Sequence, residues 1–223
     1  MMHPHTRVQP ISEEIGVGVV ATRLIPAGTA VYQTDPLDLR LAPDDPRLND
    51  PALAEHIECY SYLDPDGTRV VCWDIGKYVN HSCTPNTLTT GYGFQVALRD
   101  LQPGEEITDD YGIYTDDFGP LICNEPTCRG HIRACDFLKL VPAWDATLRP
   151  VLKTFFDVEQ PLMHLIDADA LADLHRFAKT GRGYRSIARA RNPETLPSQP
   201  AATIKPRLKL NGTSNGHTHG LVV

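Results

Sequence analysis

This sequence of 223 residues predicts a mainly β fold of several small sheets, followed by a C-terminal helical extension. The first observation is the frequency of turn formers, since 16 glycines and 19 prolines favour short strands over long helices. The second is the pattern of residues 15–108, where short β-branched and aromatic runs alternate with turn signals. The third is a change near Val141, after which apolar residues recur at helical spacing.

The β part divides into short predicted strands. Residues 15–33 indicate a strand, a turn at the sequence Pro-Ala-Gly, and a second strand. Residues 59–73 contain two β-like runs separated by Asp-Pro-Asp-Gly, which is a hairpin signal. Further strands are expected at 94–98 and 106–108, with a weak helix at 51–58.

The C-terminal part is predicted to be helical and then disordered. Residues 144–160 and 167–179 carry apolar residues at helical spacing, with Leu171 and Leu174 on one face and Asp169 as the N-cap. Such helices are expected to pack on the β part. Residues 191–223 are rich in Pro, Ser, Asn and Gly, which predicts a disordered tail.

Composition and charge argue against two classes of protein, those that bind nucleic acids and those that span a membrane. The formal net charge of -7 argues against a nucleic-acid surface and would suit a basic peptide partner. We expect no membrane span, because no apolar run reaches about 18 residues. The six cysteines are expected to be reduced, and the absence of an export signal predicts cytoplasm or nucleus.

Four stretches carry chemistry-bearing residues, and each is weak evidence when taken alone. Cys83 lies two residues from His81, but nucleophile and base are seldom so close in sequence. Cys83, Cys123 and Cys128 are candidate metal ligands, although buried cysteines are commonly small hydrophobes. The glycine pair at 16–18 permits close approach of a ligand, and Tyr111 follows a short strand.

The ordered set of these stretches is specific. "GVGVVATRLIPAGTAVY", "NHSCTPN", "VALRDLQPGEEITDDYG" and "CNEPTCRG" follow one another along the chain. Together they resemble the SET-domain protein lysine methyltransferases, over roughly residues 9–138. The resemblance implies a fold of several small β-sheets with a pseudoknot, in which the "NHSC" segment threads through a loop formed by the chain that follows it.

The resemblance also implies a cofactor, S-adenosylmethionine, and a protein or peptide substrate that carries a lysine. Tyr111 matches the catalytic tyrosine that lines the lysine channel. The cofactor-binding positions, which would act largely through their backbone, match Gly16, Val17, Gly18, Val19, Asn80 and His81.

Two departures from the family pattern concern the channel and the metal. Asp109 stands where the family has an aromatic residue that limits the number of methyl groups added, and an acid there would add negative charge near the channel. The family's zinc site uses four cysteines, of which Cys83, Cys123 and Cys128 are present, whereas Leu121 occupies the fourth position. Cys135 or His131 could substitute, or the metal could be absent.

The sequence therefore predicts a SET domain with a short post-SET segment at 9–138, a helical extension at 139–190 and a tail at 191–223. The expected function is S-adenosylmethionine-dependent methylation of a lysine on a histone or non-histone protein. The alternative, motivated by Asp109, is a SET-fold module that binds cofactor or peptide with weak or no catalysis. The sequence does not indicate an oligomeric state.

Overall fold

The computed structural model describes residues 1–115 and 117–191. Nearly all of the predicted tail at 191–223 lies outside the described residues, which end at Arg191. Within them the chain forms twelve short strands and three α-helices. The strands are β1 Thr6–Ser12, β2 Gly16–Ala21, β3 Ala30–Gln33, β4 Leu39–Leu41, β5 Ser61–Leu63, β6 Arg69–Val71, β7 Asn80–His81, β8 Thr87–Thr89, β9 Phe94–Ala97, β10 Thr108–Asp109, β11 Asp117–Phe118 and β12 Ile132–Arg133. The helices are α1 Ala54–Tyr60, α2 Ala134–Lys153 and α3 Ala168–Thr180.

Five small sheets hold these strands, which confirms the predicted mainly β fold with a helical C-terminal region. Strands β1 and β2 form an antiparallel ribbon, and β3–β9–β8 form a three-stranded sheet. The predicted turn between β2 and β3 is present. It places Gly28 at a φ of 86°, a left-handed conformation that glycine adopts without steric cost.

The predicted hairpin of residues 59–73 is also present, within the sheet β4–β6–β5. Ser61 pairs with Val71 and Leu63 pairs with Arg69, in antiparallel register. The turn between them is closed by Gly67, whose N–H donates to the carbonyl of Asp64 at 2.9 Å.

A parallel pair of two-residue strands brings distant segments together. In this pair, β7 lies beside β10, with Asn80 opposite Thr108. The side chain of Asn86 extends the junction, because its amide donates to the Glu106 carbonyl at 2.7 Å and its oxygen accepts the Thr108 N–H at 2.9 Å. The "NHSC" segment is thus fixed against the chain just before Tyr111, as the resemblance implies.

The helical region shares a hydrophobic core with the sheet β3–β9–β8. Trp144, Leu148 and Leu152 of α2 and the buried face of α3 pack in one cluster with Phe94 and other sheet residues. A second cluster, around β2 and Leu101, supports the other side of the β part. Burial of these apolar faces, at about 25 cal/mol per Å², is what holds the helices on the sheet.

The helices differ from the sequence expectation in two details. Helix α2 begins at Ala134, ten residues before the predicted start, and continues through Pro142 and Pro150. The N-cap of α3 is Asp167, whose carboxylate accepts the Ala170 N–H at 2.9 Å, so the predicted cap at Asp169 is wrong. Asp169 lies in the first turn, where its charge still suits the helix dipole.

Helices long and apolar enough to cross a membrane are absent from the part of the chain that the structure describes.

Gln160 joins the helical region to the β part through three buried hydrogen bonds. Its side-chain amide donates to the carbonyls of Gly28 and Phe155, and its oxygen accepts the Ala30 N–H at 2.9 Å. A Gln160→Ala change would leave three buried backbone groups unpaired, so we expect it to lower the free energy of unfolding by about 3 kcal/mol.

Urea denaturation followed by circular dichroism would measure the effect of Gln160→Ala. The matched control is Gln102→Ala, because Gln102 is exposed in a turn and should change stability by less than about 0.5 kcal/mol. Equal stabilities of the two variants would contradict the structural role of Gln160.

Candidate active site and thiol cluster

The glycine segment of β2 is fixed by the side chain of Asn80. The Asn80 amide donates to the Val17 carbonyl at 2.9 Å and to Glu106 Oε1 at 2.8 Å. A Cβ added at Gly18 would lie 2.8 Å from Asn80 Nδ2 and 2.4 Å from Glu106 Oε1, so any larger residue would displace these side chains. By contrast, a Cβ at Gly16 would meet nothing within 4 Å. The backbone around Gly16 is therefore open to a ligand.

His81 is buried at the end of β7, and each of its ring nitrogens contacts another residue. Its Nδ1 accepts the Tyr111 N–H at 3.2 Å, and its Nε2 lies 3.2 Å from Cys83 Sγ. Burial lowers the pKa of His81 to about 4, although the nearby Asp110 carboxylate acts in the opposite direction. The imidazole is thus neutral at neutral pH.

Tyr111 follows β10 and has a fixed ring and hydroxyl. The hydroxyl donates to the Val79 carbonyl at 2.8 Å. The ring contacts His81, at 5.4 Å between centroids, and packs edge-to-face on Phe118 at 5.5 Å. A hydroxyl that donates to a fixed carbonyl has a defined dipole direction, with its negative end turned away from that carbonyl.

The sequence-predicted site residues therefore lie in one continuous region. Asn80 contacts the Gly16–Val19 segment, while His81 contacts the backbone of Tyr111. These contacts join segments that are more than 60 residues apart for Asn80 and Val17, and 30 apart for His81 and Tyr111. The arrangement combines an open backbone edge with an oriented tyrosine hydroxyl.

Asp109 points into the protein interior and is only 1% exposed. Its Oδ2 accepts hydrogen bonds from the Tyr114 hydroxyl at 2.5 Å and the Gln95 amide at 2.6 Å, and its Oδ1 accepts the Asp110 N–H. Burial raises the pKa of Asp109 to about 8, which outweighs the bonds from Tyr114 and Asp110 that lower it. The expected negative charge near the channel is thus largely absent at pH 7.

Asp110 and Arg129 were missed by the sequence reasoning. The Asp110 carboxylate is buried and binds Arg129 Nη2 at 2.5 Å and the Gly112 N–H at 2.9 Å. Its Oδ1 also lies 3.8 Å from His81 Nδ1. Asp110 is adjacent to Tyr111 in the sequence, but nothing in the sequence indicated that Arg129 would come to it from the cysteine-containing tail.

Three of the cysteines converge beside His81. The Sγ atoms of Cys83 and Cys128 are 4.0 Å apart, and the metal-ligating atoms of His81, Cys83 and Cys123 all lie within 4.8 Å of one another. All six cysteines are free thiols. We call His81, Cys83, Cys123 and Cys128 the thiol cluster. Zn²⁺ takes thiolate and imidazole ligands in this kind of compact group.

Backbone N–H groups point at each sulfur of the thiol cluster. The Cys83 N–H donates to Cys123 Sγ at 3.4 Å, and the Gly130 N–H donates to Cys128 Sγ at 3.3 Å. Cys83 Sγ accepts the Arg129 N–H at 3.4 Å. Burial acts to raise the pKa of Cys123, but bonds from backbone N–H groups and neighbouring thiols lower it overall. At Cys123 these donors favour the thiolate form that binds metal, and a group of three sulfurs with N–H donors directed at them fits zinc.

The contact between Cys83 and His81 does not have the properties of a nucleophile and its base. Burial raises the pKa of the Cys83 thiol, and burial lowers the pKa of His81 to about 4. Both groups are therefore neutral at pH 7, whereas an activated cysteine is a thiolate. His81 Nδ1 accepts the Tyr111 N–H, and the Asp110 carboxylate, at 3.8 Å, is too far from Nδ1 for a hydrogen bond that would orient a base.

The two proposed substitutes for a fourth cysteine lie elsewhere. His131 Nε2 binds the carboxylate of Asp117, and Cys135 is exposed on α2, where the Lys139 ammonium contacts it. Leu121 pairs through its N–H with the Gly130 carbonyl at 2.9 Å. Among the described residues, the ligand atoms of His81, Cys83 and Cys123 all lie within 4.8 Å of one another, and Cys128 adjoins this group through its Sγ, 4.0 Å from Cys83 Sγ.

A cavity of about 420 Å³ lies between the thiol cluster and α2. Cys83, Asp110 and Arg129 line one side, and apolar residues such as Leu140 and Trp144 line the other. The predicted cofactor positions at Gly16–Val19, Asn80 and His81 do not line this cavity. The cavity is therefore separate from the open backbone edge at Gly16.

Comparison with known proteins agrees with this geometry. The sequence model of the SET domain matches residues 16–112. Histone-lysine N-methyltransferase Set2 of Drosophila melanogaster is 31% identical over 136 residues, which cover 54% of this chain and 6% of that protein. "Histone-lysine N-methyltransferase, H3 lysine-4 specific" of Schizosaccharomyces pombe is 36% identical over 67 residues, 26% of this chain and 7% of that protein.

A third relative is "Histone-lysine N-methyltransferase, H3 lysine-36 specific" of Aspergillus oryzae, 35% identical over 68 residues. Those residues are 26% of this chain and 7% of that relative, so the chain spans less than a tenth of the length of these curated proteins. The matched residues include the glycine segment, the "NHSC" segment and Tyr111, which the structure brings together. Residues 16–112, less than half of the chain, therefore match the SET-domain family in sequence.

Proposed function

We propose that this chain is a protein-lysine N-methyltransferase that uses S-adenosylmethionine. The observation that carries the proposal is the convergence of three separate motifs, in which Asn80 binds the Val17 carbonyl and His81 accepts the Tyr111 N–H. The match of residues 16–112 to the SET domain and the relatives named as histone-lysine N-methyltransferases support it.

Gly16, Val17, Gly18 and Val19, with Asn80 and His81, would hold the cofactor. Support comes from the backbone at Gly16, which is open, whereas the space beside Gly18 is filled by Asn80 and Glu106. This contrast fits a ligand that approaches the start of β2 while the rest of the strand is held rigid. When bound, S-adenosylmethionine supplies an electrophilic methyl group on a sulfonium centre.

Tyr111 is proposed as the catalytic residue. Its hydroxyl hydrogen is committed to the Val79 carbonyl, so the negative end of the O–H dipole faces away from Val79. Such a fixed dipole stabilises a polarised methyl group without reorganising during the reaction. The substrate amine is the nucleophile, and no protein side chain has to attack.

The burial of Asp109 removes the main reason for proposing a binding module without catalysis. That alternative assumed a negative charge near the channel. A carboxyl group with a pKa near 8 is mostly neutral at pH 7, and Tyr114 and Gln95 occupy its Oδ2. No other described feature favours the alternative.

The proposed substrate is a lysine on a histone or a non-histone protein. A net charge of -7 suits a basic segment around that lysine and does not suit direct nucleic-acid binding. The histone-modifying relatives make the nucleus or the cytoplasm the proposed location. The proposed domain organisation is a SET domain with a post-SET segment at 9–138 and a helical extension at 139–190.

A zinc ion is also proposed, held by Cys83, Cys123 and Cys128. The support is the clustering of their sulfurs and the backbone N–H groups directed at each of them. Its role would be structural, since it would fix the tail around Arg129 against Asp110, next to Tyr111.

Transfer of a tritiated methyl group to core histones and to a cell lysate tests the proposal. We expect incorporation, and mass spectrometry should locate the methyl group on a lysine Nε. The matched control is an acceptor peptide in which the modified lysine is replaced by arginine, which should remain unlabelled. Binding of cofactor and peptide without any incorporation would contradict the enzyme and support the binding module.

A further inference from the structure

The thiol cluster has three sulfurs, whereas a structural zinc site normally has four protein ligands. Leu121, in the position of the fourth family cysteine, has no metal-binding atom. Three ligands would leave one coordination position open to water, as in catalytic zinc sites. The identity of the fourth ligand therefore decides whether the site is closed and structural.

We propose that His81 is the fourth zinc ligand, through Nε2, so that the site is a closed Cys₃His site. Nε2 is 3.2 Å from Cys83 Sγ, close to the separation of two ligand atoms around one tetrahedral zinc. The ligating atoms of His81, Cys83 and Cys123 lie within 4.8 Å of one another, and Cys128 Sγ lies 4.0 Å from Cys83 Sγ.

The surroundings of His81 suit this role. The His81 side chain is 4% exposed, so ordering its ring on zinc costs little side-chain freedom. It belongs to β7, whose pairing with β10 fixes the backbone next to Cys83. Both features hold Nε2 in place before any metal binds, and pre-organised ligands strengthen metal binding.

Zinc on Nε2 requires the ring proton to be on Nδ1. In the metal-free geometry Nδ1 accepts the Tyr111 N–H at 3.2 Å, and that hydrogen bond would be lost. The Oδ1 of the buried Asp110 carboxylate is 3.8 Å from Nδ1 and already accepts from Arg129 and Gly112, so the ring has to shift by a few tenths of an ångström to donate the new Nδ1–H to it. A zinc-bound histidine that donates to a carboxylate is a common arrangement, because the carboxylate fixes the ring and raises its basicity.

This proposal gives His81 two roles. Its side chain closes the metal site, while its backbone remains part of β7 next to Asn80 and the proposed cofactor position. It rests on the proposed zinc ion but not on methyl transfer, because it concerns coordination alone. A zinc-loaded protein that transfers no methyl group would still satisfy it.

X-ray absorption spectroscopy of the full-length protein, purified with zinc and without chelator, tests the ligand set. We expect about one zinc per chain, with three Zn–S distances near 2.3 Å and one Zn–N distance of about 2.0–2.1 Å. A fourth light-atom ligand without the multiple-scattering signature of imidazole, or a zinc content far below one per chain, would overturn the proposal.

Variants assign the imidazole to His81. His81→Cys should keep one zinc and change the spectrum to four sulfurs, whereas His81→Ala should weaken zinc binding, measured by chelator competition, by about 100-fold or more. The matched control is Cys135→Ser, which removes an exposed cysteine outside the cluster and should leave metal content and spectrum unchanged. A three-sulfur, one-imidazole spectrum that persists in folded His81→Cys protein would overturn the assignment.

Discussion

A Tyr111→Phe variant is expected to transfer methyl groups to a protein lysine about 100-fold more slowly than the wild-type chain, or slower still. The change removes one oxygen and keeps the ring, so packing on Phe118 and His81 is preserved. What is lost is the fixed dipole that the Val79 carbonyl orients. Initial rates with saturating S-adenosylmethionine measure the effect.

The protonation of the substrate lysine explains why an oriented dipole is enough and no protein base is required. A lysine amine with a pKa near 10.4 is neutral in only about one molecule in a thousand at pH 7. Exclusion of water from the proposed lysine channel would lower that pKa, because burial disfavours the charged ammonium form. Alignment of amine, methyl group and sulfur then accounts for most of the remaining rate enhancement.

Tyr92→Phe is the matched control for Tyr111→Phe. Tyr92 is buried in the core shared with the helices, where its hydroxyl accepts the Arg185 N–H at 3.1 Å. Its loss should reduce stability slightly and leave the transfer rate within about twofold of wild type. The affinity for S-adenosylmethionine should be unchanged in both variants. A Tyr111→Phe rate more than half of the wild-type rate would contradict the proposed role of Tyr111.

The free energy of unfolding of an Asp109→Asn variant should rise relative to that of the wild-type chain as the pH rises from about 4 to about 8. The folded-state pKa of Asp109 is raised to about 8, whereas an unfolded aspartate has a pKa near 3.9. Between these values the folded state binds a proton that the unfolded state releases. The wild-type chain therefore loses stability with rising pH, by up to about 1.4 kcal/mol per pH unit.

The two proteins are compared by the slope of their free energy of unfolding against pH. A protonated Asp109 donates its own O–H, and of its three neighbours only the Tyr114 hydroxyl can accept it, since Gln95 and Asp110 present N–H groups. An asparagine NH₂ group would have to use the same acceptor with a different geometry, which imposes a fixed penalty. That penalty does not depend on pH. Free energies of unfolding from urea titrations at pH 5, 6, 7 and 8 give the slopes, because the other titrating groups are shared by both proteins. Parallel curves would show that Asp109 is ionised in the folded protein.

The short strands and their turns could be predicted from the sequence because their signals are local. Gly28 and Gly67 both have a positive φ, which glycine adopts easily, and both predicted turns are present. The contact between Asn80 and Val17 could not be derived from the residues alone, since 63 positions separate them. Only the resemblance to a family indicated that these segments meet.

The early start of α2 was hidden by its prolines. Pro142 and Pro150 would normally end a helix, because proline lacks an N–H and clashes with the preceding turn. Burial of Phe137 at one end and Leu152 at the other offsets that cost. Tertiary packing, which the local pattern does not report, therefore decides the boundary.

The burial of Asp109 and the position of His81 beside the cysteines could not be predicted from the sequence either. A strand's alternation tells which residues share a face, but not which of two faces is buried when the strand is two residues long. Arg129 reaches Asp110, and His81 reaches Cys83 and Cys123, through the folding of the tail onto the site. Such contacts depend on the whole arrangement of the chain.

Helices α2 and α3 share a core with the sheet β3–β9–β8. The folding unit is therefore larger than the segment that matches the SET domain. Residues 16–112 match the family, yet Phe94 and Leu88 of that segment are covered by Leu148, Leu152 and Phe155 from outside it. A shortened protein that ends near residue 112 would expose this apolar surface to water and aggregate or unfold. Loss of activity in such a truncation would therefore reveal nothing about catalysis, and substitutions in the helices can lower the proposed activity through stability alone.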